Sequence, residues 1–137
     1  VKRKPAAYLA LVAAPILVSA TLLAHHGTSA SYDLSKPTPI TGVVTEFVWA
    51  NPHARLFVDV TDPQGKVVNW GIELRPAPAG LSRIGWTRHT LKAGDKITIT
   101  VFPSKFGTPT GVGEPDFPVV LNGQQMPGTG QGQRGRQ

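Results

Sequence analysis

From residue 40 to residue 104 the chain alternates apolar and polar positions in four separate runs, the period of half-buried β-strands. ITGVVTEFVWA (40–50) sets Val43, Phe47 and Trp49 on one face against Gly42, Val44 and Glu46 on the other. ARLFVDVTD (54–62) sets Leu56, Val58 and Val60 against Phe57, Asp59 and Thr61. KVVNWGIEL (66–74) places Val68, Trp70, Ile72 and Leu74 together, with Asn69, Gly71 and Glu73 opposite. KITITVFPS (96–104) turns Ile97, Ile99 and Val101 inward. The second and third runs are joined by Asp62-Pro63-Gln64-Gly65, with proline and glycine where a β-turn wants them. A fifth run, FPVVLNG (117–123), ends at an Asn-Gly turn.

Between the third and fourth runs, residues 75–95 break the alternation. There Leu81, Ile84 and Trp86 recur at helical spacing, which predicts one short helix. KFGTPTGVGEPD (105–116) is rich in glycine and proline and reads as a mobile connection. Three strands, a short helix and two further strands is the order of a small all-β, OB-like barrel of about five strands. An open β-sandwich fits the same strands. The predicted organisation is a targeting segment over 1–24, an extended lead-in bearing histidines over 25–39, the β domain over 40–121, and a disordered Gly/Gln-rich tail over 122–137.

The N-terminal segment changes the picture of the compartment. A basic start, VKRK, precedes PAAYLALVAAPILVSATLLA, apolar and uncharged to Ala24. This is the layout of a secretory signal peptide, and the leading valine fits an initiation codon of a bacterial gene read literally. Cuts after Ala20 and after Ala24 both fit. An uncleaved anchor is the alternative, because the run approaches the ~20 residues that span a bilayer. Pro15 and the short polar lead favour cleavage. The expected location is periplasmic or secreted, with membrane contact only through an uncleaved signal.

The net charge of +6 would ordinarily suggest nucleic acid. However, Lys2, Arg3, Lys4, Arg134 and Arg136 lie at the ends, and residues 32–126 carry nine basic against eight acidic groups. A nearly neutral core is no nucleic-acid footprint, and no nucleic-acid partner is expected. The absence of cysteine excludes a lipid-anchoring cysteine, disulfides and thiolate metal sites.

The ordered set HHG, YD, ITGVVTEFVWANPHARLFVDVTD, GKVVNWGIEL and LSRIGWTRHTLKAGDKITI resembles a family of small exported bacterial proteins, domain of unknown function 6152. The shared features are a double histidine after the signal, Trp-x-Asn-Pro-His, a Trp…Glu strand and a Gly-Trp…Leu…Gly-Asp stretch. They cover residues 25–101. The resemblance implies export and a common β fold, and it carries no activity.

His25 and His26 sit where the apolar run ends, and His53 follows Asn51-Pro52 in the loop after the first strand. Imidazole is the commonest neutral ligand of copper and zinc near neutral pH. If the signal is cut after Ala24, the new amino group and Nδ1 of His25 chelate one copper ion. His53 is then the natural further donor, assisted by His26 or Glu73. A plainer reading stands beside this one. Adjacent histidines in an extended segment point to opposite sides, and the His53 imidazole could simply bond a turn carbonyl. His89 reads as a solvated turn residue.

Trp49, with Asn51 beside it, is the candidate for a saccharide or aromatic ligand, whereas Trp70 and Trp86 read as core. No acid pair has glycosidase spacing, and neither a Gly-x-Ser-x-Gly elbow nor a phosphate-cradling glycine motif is present. The residues therefore point to a binding module rather than an enzyme: one holding copper or another transition metal, or else docking an envelope protein or a saccharide.

Overall fold

The computed structural model describes residues 27–133, so the segment predicted to be a signal peptide, His25 and His26 lie outside the described residues. The chain divides into two compact units, residues 1–31 and 32–137. Of the first, the described part is one short helix, α1 (Gly27–Ser31). The second holds β1 (Thr38–Val48), β2 (Arg55–Thr61), β3 (Val67–Leu74), helix α2 (Pro78–Arg83), β4 (Lys96–Pro103), β5 (Thr110–Gly113), β6 (Val120–Leu121) and β7 (Gln124–Gln125).

The strands close on themselves in the order β1-β2-β3-β5-β4, because β1 pairs with β4 as well as with β2. This is the small five-stranded barrel that the pattern predicts, with one short helix between β3 and β4. Its interior is filled by alternate residues of each long strand, among them Leu56, Val58, Ile72, Leu74, Ile97, Ile99 and Val101, each at most 1% exposed. Helix α2 begins with Pro78 at its first turn and is capped at its C-terminus by Ile84, with Gly85 in the position that follows. The amide of Gly85 (φ +90°) donates to the Ser82 carbonyl and that of Trp86 to the Leu81 carbonyl, the double bond of a Schellman motif. Its accompanying apolar pair, Leu81 and Trp86, is buried in the core.

β1 departs from the simple alternation. Its inward residues are Ile40 and Val44, at 7% and 1% exposure, while Val43 is 40% exposed. Val43 thus does not share a face with Phe47 and Trp49. The cause is a β-bulge between Val44 and Glu46, where Thr45 is left without a partner on β2. One extra residue reverses the phase, so Val44 before it and Phe47 after it both turn toward the core.

The barrel also closes where the sequence reading places a mobile connection. Thr110–Gly113 form β5, parallel to β3 and antiparallel to β4. The inward positions of β5 are glycines: a Cβ on Gly113 would lie 2.9 Å from Leu74 and 3.0 Å from Ile72 and Ile99. A strand whose core-facing side has no side chains shows no hydrophobic alternation.

Of the fifth predicted run, only Val120 and Leu121 pair with β4, opposite Thr98 and Ile97. Its Asn122-Gly123 turn is present, with φ of 49° and 84°, and links β6 to β7. Beyond this turn, two residues of the Gly/Gln-rich segment contact the barrel. Met126 is 8% exposed in the core cluster. The buried Thr129 hydroxyl accepts from the Val119 amide and donates to the Met126 carbonyl, at 3.1 and 2.8 Å. One apolar anchor and one satisfied hydroxyl offset the low hydrophobicity around them.

Candidate functional site

β1 ends at Val48, and the loop to β2 carries Trp49, Asn51, a cis Asn51-Pro52 bond and His53 before Ala54 enters the core at 0% exposure. The Leu74 amide donates to the Ala54 carbonyl at 2.9 Å, which fastens this loop to the end of β3. Glu73 is on the outer face of β3, opposite Arg55 of β2. The two constraints bring His53 and Glu73 together: Nε2 of the histidine is 3.5 Å from Oε1 of the glutamate. Both side chains are about one-third exposed, at 37% and 36%. The other ring nitrogen, Nδ1, is buried without a hydrogen-bond partner, an unsatisfied group in either tautomer.

Across the barrel wall from Glu73 the outer row continues through Val112 of β5 to Phe102 of β4. Val112 is fully buried, and Phe102 meets Phe117 edge to face at 6.0 Å. Tyr32 reaches the same wall, forming an isolated bridge with Ser104, and the Asp33 amide donates to the Pro103 carbonyl at 2.9 Å. Burial raises the Tyr32 phenol above its ordinary pKa, and the negative charge of Glu73 raises it further. Arg75, one strand position beyond Leu74, pairs with Glu114. Neither the approach of Tyr32 to Glu73 nor the Arg75–Glu114 pair is legible in the sequence, because each joins segments far apart along the chain.

Two donors each about 2.1 Å from one ion in tetrahedral geometry lie about 3.4 Å apart. The His53–Glu73 separation matches that edge, and a nitrogen and a carboxylate oxygen suit zinc or copper. The pair makes half of such a shell. Among the described residues, no group of three or more His, Cys, Asp and Glu side chains is placed to hold an ion.

The aromatic candidates divide differently. Trp49 is half-buried against the core, edge to face with Phe47 at 5.9 Å; Asn51 is exposed. His89 is exposed in its turn, its amide donating to Thr87. Asp95 anchors its turn by accepting from the Lys92 amide at 2.8 Å and from the Asn122 side chain at 3.0 Å.

Residues 13–114 match the family of unknown function DUF6152. The chain belongs to the DUF6152 family. The match takes in the whole barrel from β1 to β5, so His53 and Glu73 both fall within the family's span. No curated protein matches this DUF6152 chain. Among solved structures it is similar to the mitochondrial single-stranded DNA-binding protein Rim1 of S. cerevisiae, at 16% identity and a TM-score of 0.44. That likeness covers 63% of this chain and 93% of Rim1.

Proposed function

We propose that this DUF6152 protein is an exported small binding module that holds a transition metal, copper or zinc, at His53 and Glu73. The observation that supports this reading is the 3.5 Å separation of the His53 Nε2 and Glu73 Oε1 donors, one in the β1–β2 loop and the other on the outer face of β3. A pair of donors leaves a shell incomplete. The further donors in this reading are His25 and His26, which the signal layout leaves at or near a mature N-terminus. Export through the 1–24 segment is part of the same proposal, since the His25 amino group is a ligand only after cleavage behind Ala24.

The test is calorimetric titration of copper and zinc into protein recovered from a secreting bacterial host after expression of the full chain. His53→Ala is expected to weaken binding more than tenfold, and Glu73→Gln to weaken it by a smaller factor. Affinity unchanged by His53→Ala, in a variant with unchanged circular dichroism, rejects the site.

A further inference from the structure

The inward faces of β2 and β3 are dry only along part of their length. Leu56, Val58, Ile72 and Leu74 are each at most 1% exposed. Val60, Val68 and Trp70 occupy the same faces nearer the β2–β3 turn and are half-buried. Val60 stands opposite Val68, and Val58 opposite Trp70. At this mouth the barrel's own core stops, and a cavity of about 380 Å³, open to solvent on one side, adjoins it. Pro103 at the end of β4 and Pro109 before β5 form the facing wall. The Gly71 amide donates to the Pro109 carbonyl at 3.0 Å, which holds that wall against β3.

The cavity has one charged side chain in its lining, Asp62. Its Oδ1 accepts from the amides of Gln64 and Lys66, at 2.9 and 2.8 Å. Those bonds fix the carboxylate as part of the β2–β3 turn and leave Oδ2 to a further donor. The volume lies in the range of small-molecule pockets, about 300–1,000 Å³, which typically combine apolar walls with a few fixed polar groups. An aromatic ring stacks on an indole, and a cation gains from both the indole face and a carboxylate.

We propose that the Trp70 cavity is a second site, separate from His53 and Glu73, that binds a small aromatic amine. The ring lies against Trp70 between the Val60/Val68 and Pro103/Pro109 walls, and the ammonium pairs with Asp62. The proposal is independent of metal, because none of the lining groups is a histidine and the pair on the outer wall takes no part.

The experiment is a titration of 2-phenylethylamine into 15N-labelled protein expressed from the full chain, with EDTA present, followed by heteronuclear correlation spectra. Phenylacetate is the charge-reversed probe. The expected result is saturable binding that shifts the Trp70 indole resonance, at least tenfold weaker for phenylacetate and for Asp62→Asn. Trp70→Leu keeps an apolar wall, and its spectrum reports whether the barrel is folded; in the folded variant binding is expected to be lost. Absence of saturation at millimolar probe, equal binding of phenylacetate, or full affinity in Asp62→Asn would each overturn the proposal.

Discussion

Gly42 of β1 lies against the backbone of Asp59 on β2 with no room for a side chain: a Cβ there would collide with the Asp59 carbonyl oxygen and with Val58. β1 serves both sides of the barrel, pairing with β4 over Thr38–Val43 and with β2 from Val43 onward. Gly42 is where it passes from one partner to the other, and the bulge at Thr45 follows directly. Gly42→Ala is expected to destabilise by about 1–3 kcal/mol, the range of an overpacked site. In a domain of this size each kcal/mol lowers Tm by roughly 4–8 °C. Thermal unfolding followed by circular dichroism measures it, and an unchanged Tm would mean the strands separate at this point without cost.

His53 and Glu73 are expected to matter little to stability. Exposed ion pairs contribute about 0–1 kcal/mol, and the buried Nδ1 of His53 has no partner to lose. His53→Ala should therefore unfold within about 1 kcal/mol of the parent protein in urea. A larger loss would make the imidazole a structural wedge.

Met126 anchors the C-terminal segment to the barrel. Met126→Ala is expected to cost about 2 kcal/mol, the lower part of the range for buried Met and Leu truncations because its burial is at the margin of the core. Hydrogen exchange should then accelerate at the Val119 and Met126 amides before the strands β1–β4 respond. Protection that is lost everywhere at once would show that the segment and the barrel form one cooperative unit.

The Asp95 carboxyl is held below its ordinary pKa, first by the Asn122 side chain and then by the Lys92 amide. A carboxyl whose folded pKa is depressed binds its proton more readily in the unfolded chain. Its stabilisation is complete above the unfolded pKa and lost as pH falls through the folded one. Tm should fall as pH is lowered from about 5 to about 3, with Asp33, lowered by Ser35, contributing in the same direction. Asp95→Asn is expected to flatten this slope; equal slopes in the two proteins would remove Asp95 from the acid response.

β2, β3 and β4 were legible because every core-facing position carries an apolar side chain and most positions between them do not, Phe57, Val67 and Phe102 excepted. The short helix was legible for a related reason: Leu81 and Trp86 are the two apolar contacts of its C-cap, and both are buried. Two features broke the pattern. The bulge at Thr45 reversed the phase of β1 in mid-strand, which no period-two template follows. β5 met the core with Gly111 and Gly113, so its inward face had nothing to alternate. Met126 was hidden in another way, as one apolar residue in a glycine- and glutamine-rich stretch. At the site, the His53 loop stood out as a loop histidine. Its contact with Glu73 was not legible, because it follows from the fastening of Ala54 to Leu74. Trp70 sat in register with the core, yet the register alone did not say that the core ends short of it.

The parallel pairing of β3 with β5 has a consequence for the nascent and the damaged chain. Residues 71–74 meet residues 110–113 only after everything between them has been made. A chain that stops short of Thr110 still has β1 joined to both β2 and β4, but β3 and β4 each lack their neighbour at the seam. Such a fragment is an open sheet with two bare edges of unpaired amides and carbonyls, the template on which other chains add. Premature truncation of this protein would therefore produce a sticky product rather than an inert one, and quality control would have to recognise it by its edges.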